Sequence, residues 1–259
     1  MSQTLAEQAE YWQTLRPQRV SLVGPHIDGE GLAEARRVLV TGDYRLETIV
    51  HPFLPGQQLG QIDDNWQQAR ACLSRQIDNA QQLGAKSIYM VTGGLGELLW
   101  EEAAAAFAEA ITPCREQAQE AGVELLIENT APQYADLHIA HSLRDTVKLA
   151  EMAGIGVCID LFSCWTESDL KVTIESAVAR CHLVQVSDNV AGDRTLPARA
   201  VPGDGDIPLA RLFDWILQSG YTGAFDLELL GPRIEEEGAL AATARAAVVV
   251  DELLQSLNV

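Results

Sequence analysis

The sequence predicts an α/β chain: a (β/α)8 barrel that lacks or truncates its first β-strand, formed by residues 1–259 as a single domain. Three observations predict it. Short apolar runs with strand character alternate with longer segments of helical period, the pattern of parallel strands joined by crossover helices. The opening strand runs into Val23-Gly24-Pro25-His26-Ile27-Asp28, whereas an open doubly wound sheet carries a glycine-rich phosphate loop there. Polar residues stand at strand ends all along the chain (His26, His51, Thr92, Glu128, Asp160, Gln185, Asp188 and Glu228), which is where a barrel builds its site.

The elements follow in order. A helix over about Leu5–Leu15 opens the chain. Strand-like runs come at Arg19–Leu22, Leu46–Val50, Ser87–Val91, Glu124–Glu128, Val157–Leu161, Leu183–Ser187 and Phe225–Leu229. Helical period fills Asn65–Leu83, Trp100–Ala121, Leu143–Ala153, Leu170–Arg180 and Leu209–Ser219. Gly42, Gly84, Gly122, Gly154 and Gly220 each close a helical pattern, in a left-handed position that a β-carbon disfavours. Ser142 reads as an N-cap and Pro208 as a first-turn proline. Pro113 should kink or split the helix around it. Seven strands are countable, so the shortfall lies at the first. Met1–Thr4 leaves room for a stub only. The gap is then bridged by a loop or partner, or the gene product starts upstream.

Composition excludes more than it assigns. A formal charge of -19, from 37 Asp+Glu against 18 Lys+Arg, argues against nucleic-acid or anionic-membrane partners. There is no apolar run long enough to span a bilayer and no signal-peptide core at the N-terminus. Five cysteines, an odd number without a CxxC pair, read as reduced thiols of a cytoplasmic protein. A homo-oligomer stays open. Gly93-Gly94 with Gly96 reads as a flexible loop able to offer N–H groups to an anion, but it lacks the Lys-Ser/Thr of a P-loop.

The two-residue period of a strand gathers the chemistry. Leu125 and Ile127 share a face opposite Glu128; Val157, Ile159 and Leu161 oppose Asp160; Val184 and Val186 oppose Gln185; Phe225, Leu227 and Leu229 oppose Glu228. If the apolar sets pack on helices, four oxygen-bearing side chains point into a barrel mouth. Such a set makes a plausible divalent-cation site.

On these residues the chain resembles the sugar phosphate isomerase/epimerase superfamily with the xylose isomerase-like TIM barrel. The resemblance runs from Leu5 to about Leu254. It rests on Val123-Glu124-Leu125-Leu126-Ile127-Glu128-Asn129, Gly156-Val157-Cys158-Ile159-Asp160, Leu183-Val184-Gln185-Val186-Ser187-Asp188-Asn189, Pro202-Gly203-Asp204-Gly205-Asp206-Ile207 and Phe225-Asp226-Leu227-Glu228-Leu229. It implies a metal held by Glu128, Asp160, Gln185 and Glu228, with Glu128 and Glu228 as the acid/base pair that moves a proton next to a carbonyl. Gln185 stands where the family has a His ligand, and Ser163 replaces a His often found three residues after the Asp. A neutral amide oxygen favours Mg²⁺ or Mn²⁺ over Zn²⁺ and leaves open that no metal binds.

The implied activity is that of an isomerase or epimerase on a small hydroxy-carbonyl compound (a sugar, sugar phosphate or sugar acid), working through an enediolate. A lyase or dehydratase shares the intermediate. A metal-free binding barrel is the non-enzymatic alternative, favoured by Gln185 and Ser163. Endonuclease chemistry would need more His ligands and a basic face. His51, His26, Arg194, Arg199 and Trp165 are the substrate-binding candidates. Against that role, His51 and His26 read as loop caps, the arginines as ion-pair partners of Asp188, Asp193 or Asp204, and Trp165 as loop packing. His138 and His141 read as surface residues, and His182 as structural.

Overall fold

A computed structural model describes residues 4–60 and 64–257. It divides into two compact units, residues 1–157 and 158–259.

In the first unit the chain enters through α1 (Leu5–Leu15). Thr4 caps it reciprocally with Glu7: Glu7 N donates to Thr4 Oγ1 and Thr4 N to Glu7 Oε2. Of the stub expected at Met1–Thr4, only this cap lies within the described residues. Then come β1 (Arg19–Val23), α2 (Gly24–Glu30), α3 (Leu32–Gly42), β2 (Arg45–Val50), α4 (Asp64–Leu83), β3 (Ser87–Met90), α5 (Trp100–Ala121), β4 (Glu124–Glu128) and α6 (Leu143–Ala153). The four strands are parallel neighbours in chain order, with Leu22 opposite Ile49, Ile49 opposite Ile88 and Ile88 opposite Leu125. Ile49, Ile88, Leu126 and Ile127 are fully buried. Phe53 meets Trp66 and Phe107 edge-on behind them.

The unit boundary falls inside β5 (Gly156–Asp160). The second unit continues with α7 (Leu161–Cys164), α8 (Leu170–Ala177) and a 3₁₀ turn, then β6 (Cys181–Val186), β7 (Asp188–Asn189), β8 (Arg199–Ala200), α9 (Leu209–Gln218), β9 (Ala224–Leu227), α10 (Pro232–Glu237) and α11 (Ala239–Ser256). β6 and β9 are parallel, with Val184 opposite Phe225 and Val186 opposite Leu227. Phe213 of α9 packs on Phe225 at 4.6 Å between ring centres.

Seven strands of the expected series are thus described, and a helix precedes the first. Four expectations need correction. Pro113 sits inside a helix that neither splits nor ends there; α4 and α6 pack on both sides of it, and packing overrides one lost backbone bond. Gly42 is the last residue of α3, and Asp43 makes the left-handed turn instead, with φ 55°. Pro208 caps α9 from outside rather than entering its first turn. The Gly93–Gly94 loop is stitched down: Gly93 N donates to Leu137 O and Gly94 N to Gln57 O. Those amides are spent within the protein, not offered to an anion.

Candidate active site

In residues 158–259 the polar side chains gather around Arg199. The chain leaves β6 and immediately doubles back, because β7 and β8 pair antiparallel with Asn189 opposite Arg199. That ribbon is fixed by Asp188, which is buried and accepts four backbone bonds. Asn189 N and Ile207 N donate to its Oδ1, and Gly203 N and Gly205 N to its Oδ2, at 2.8–3.1 Å. Gly205 is required there, since a β-carbon would collide with Asn189 O. So Asp188 shapes the loop rather than pairing with an arginine.

Arg199 is buried and uses both ends of its fork. Nη1 donates to Asp160 Oδ1 and to Ser187 Oγ, each at 3.0 Å. Nη2 donates to Asp160 Oδ2 at 3.0 Å and forms an ion pair with Glu228 Oε2 at 2.5 Å. The guanidinium lies 4.6 Å over the Phe162 ring. Asp160 ends β5, has no exposed surface and caps α7. Its Oδ1 also accepts from Phe162 N at 3.1 Å, and its Oδ2 from Ser163 Oγ at 2.6 Å.

Glu228 stands one residue beyond β9, where its N–H donates to Val186 O and so extends the ladder. Its side chain keeps 19% exposure. Burial pushes its carboxyl up to about 7; Arg199 pulls the other way, and the negative charges of Asp160 and Asp226 add to the rise. Gln185, on β6, is fully buried, and neither its amide oxygen nor its nitrogen has a hydrogen-bond partner among the described residues. A buried amide with both ends unmet costs about 1–3 kcal/mol per unmet group, which suits a residue that meets a ligand.

The other candidates fall in different places. Arg194 is exposed on the loop before β8. Its neighbour Asp193 pairs with Arg233, and Asp204 with Arg245. Trp165 closes α7 half-buried. In residues 1–157, Glu128 is the last residue of β4 and is buried. His51 is buried, and neither ring nitrogen has a hydrogen-bond partner among the described residues. It lines a cavity of about 350 Å³ with Asp28, Pro52, Phe53, Gln57 and Cys72. Burial holds its pKa down at about 4, against a raising effect of Asp28. His26 is not at a strand end; it lies on α2, half-buried.

His138 is the larger correction, because it is not on the surface. It is fully buried. Its Nδ1 accepts from Thr92 N at 3.1 Å, so Nε2 carries the proton and donates to Glu128 O at 2.7 Å. Burial pushes its pKa down to about 3, against the opposing bond to Glu128 O. His138 therefore anchors the backbone of a site candidate. Ser187 was also missed. Its only sequence signal is its place between Val186 and Asp188 at the end of β6.

The fit to a divalent ion is testable on the three proposed donors in residues 158–259, Asp160, Gln185 and Glu228. Asp160 and Glu228 offer carboxylate oxygens within 4.8 Å of each other, a span an ion could bridge. However, both already hold Arg199, and the remaining candidate, Gln185, is a neutral amide. The fit is poor.

The family model for the xylose isomerase-like TIM barrel matches residues 8–248. A Streptomyces coelicolor protein provisionally named a hydroxypyruvate isomerase is 30% identical over 132 residues, which is 48% of this chain and 45% of that protein. The chain therefore spans less than half the length of that curated relative. Among solved structures, the IolI protein with a bound zinc atom superposes with a TM-score of 0.82 at 14% identity, covering 98% of this chain and 94% of that one. D-psicose 3-epimerase with D-tagatose from Clostridium cellulolyticum H10 superposes at 0.78 and 14%, covering 96% and 92%. At that identity the two structures establish the fold.

Proposed function

Because the chain belongs to the xylose isomerase-like TIM barrel family, we propose that it is an isomerase or epimerase that moves a proton on the carbon next to a carbonyl of a small hydroxy-carbonyl compound. The observation that carries this reading is the Asp160–Arg199–Glu228 cluster at the C-terminal ends of β5 and β9. It holds a fully hydrogen-bonded acid, a fixed cation and a second carboxyl whose pKa burial pushes up to about 7.

Such a pair of carboxyl environments divides the labour. Asp160 is held in place by four donated hydrogen bonds. Glu228 gains and loses a proton near pH 7, as a general acid or base should. Glu228 takes the proton from the α carbon, or returns it. Gln185, with donor and acceptor unmet, meets a substrate hydroxyl or carbonyl. In residues 1–157, His51, held neutral by burial and without a hydrogen-bond partner among the described residues, is the substrate-binding candidate. Glu128 enters as the second acid/base group on the motif it ends, Val123-Glu124-Leu125-Leu126-Ile127-Glu128-Asn129. No step needs a metal ion: a divalent ion, where one binds in such sites, supplies charge to the enediolate oxygen. The relatives' names suggest hydroxypyruvate and ketohexoses such as D-psicose and D-tagatose as first substrates.

The test is a product assay on that panel. Mass is conserved if the compound is isomerised or epimerised. Loss of water from every substrate turned over would favour the lyase reading instead. Glu228→Gln keeps the shape of the side chain but cannot ionise. It should lower kcat about 10²–10⁴-fold while leaving the melting temperature close to that of the parent. An unchanged kcat removes Glu228 from the reaction.

A further inference from the structure

We infer that the guanidinium of Arg199 is the resident cation of this site, standing where a divalent ion would have to bind, so that Asp160 and Glu228 operate without metal.

Asp160 supplies the first argument. A carboxylate offers about four lone-pair positions, and Asp160 fills four: Arg199 Nη1 and Phe162 N on Oδ1, Arg199 Nη2 and Ser163 Oγ on Oδ2. No lone pair remains for a metal bond unless one of these is broken. The hydroxyl of Ser163 is a donor here, so the residue that might have been a further ligand instead consumes ligand capacity.

Arg199 supplies the second argument. Its planar fork grips Asp160 through two parallel bonds, the geometry that separates arginine from lysine. A metal shared by Asp160 and Glu228 would lie against that fork, cation against cation in a poorly solvated site. Moving Arg199 aside is costly. It is 7% exposed, bonded also to Ser187, laid over Phe162, and mounted on a ribbon pinned by Asp188. A displaced guanidinium would be left buried without its partners.

The donor set supplies the third. Gln185 is a neutral amide, and Mg²⁺ gives up water reluctantly for such weak ligands. Arg199 is a positioning residue in this scheme: it acts on substrate through the two carboxyls it holds.

The experiment reads metal rather than turnover, so its failure is separable from failure of the proposed reaction. Protein made without a metal-chelating tag is treated with EDTA, desalted and titrated calorimetrically with Mn²⁺, Zn²⁺ and Mg²⁺. Metal content before treatment is measured by mass spectrometry. The expected results are trace metal only, no saturable binding, and a melting temperature that EDTA leaves unchanged. Arg199→Met frees the two carboxyls and should gain saturable Mn²⁺ binding. Arg199→Lys keeps the cation and should not. About one equivalent of bound metal in the parent, or a folded Arg199→Met with no more Mn²⁺ affinity than the parent, would overturn the inference. If Arg199→Met does not fold, the parent titration decides.

Discussion

Four donors on Asp160 and four acceptors around Arg199 leave little room for rearrangement, and the neighbouring Gln185 is their opposite. It is buried beside Val184 and Val186 in the sequence of β6 with neither amide atom bonded. Replacing both unmet groups with an apolar side chain of similar length removes a penalty of about 1–3 kcal/mol. Gln185→Met is therefore expected to raise the melting temperature while raising KM for the true substrate, as measured by thermal scanning and steady-state kinetics. If it destabilises the protein instead, the amide has structural partners and is not held ready for a ligand. The identity of such residues was legible in the sequence, because the period-2 alternation of strands places Glu128, Asp160, Gln185 and Glu228 opposite apolar sets. Their partners were not legible. Nothing in Ser-Asp-Asn or Pro-Ala-Arg announces that Arg199, 39 residues downstream, reaches Asp160. His138 was misread for the same reason: an isolated histidine carries no signal of its burial.

The decisive element is the β7–β8 ribbon with the Pro202–Ile207 loop. Its conformation is set by one carboxylate binding four backbone N–H groups, so the loop has a single anchor. Asp188→Asn keeps the volume but turns one acceptor oxygen into a donor facing N–H groups. The cost is expected at about 2–3 kcal/mol, with faster hydrogen exchange at Gly203, Gly205 and Ile207 and a lower kcat as Arg199 loses its mount. Exchange at those amides as slow as in the parent would show that the loop is held some other way. The regular elements that the pattern named were readable to within two or three residues, because helical period and capping residues are local, whereas α2, α10 and α11 were not named. α1, α5, α6 and β4 have the bounds the pattern predicts. The two-residue strands β7 and β8 were not, since no periodicity fits in two residues. Pro113 was overruled by packing, and Gly42 by an aspartate able to take the left-handed turn.

At the scale of the whole chain, buried titratable groups set the response to pH. His51 and His138 have folded pKa values of about 4 and about 3, below the ordinary 6.5. Below pH 6.5 the unfolded chain binds protons that the folded chain refuses, so each histidine takes away stability as pH falls, by up to about 1.4 kcal/mol per pH unit. Glu228 works the other way. With a folded value of about 7 against 4.5, its contribution is present at low pH and is lost as pH rises through that window. Two histidines outweigh one glutamate, so stability should fall on acidification from pH 6.5 to 4.5. It should fall more steeply in Glu228→Gln, where the compensating group is gone; denaturant titrations across pH measure both slopes. Identical slopes in the two proteins would contradict the assignment of Glu228. No helix among the described residues is long and apolar enough to cross a membrane, and the formal charge of -19 leaves the buried Arg199 as an island of positive charge. The account rests on that island organising proton transfer next to a carbonyl, and solvent-deuterium exchange tests it most directly. EDTA-treated protein in D₂O is incubated with the proposed hydroxy-carbonyl compounds and followed by NMR. Deuterium should enter at the carbon next to the carbonyl of at least one compound, EDTA should not slow it, and Glu228→Gln should abolish it. Absence of exchange with all of them, or exchange undiminished in Glu228→Gln, would contradict the account.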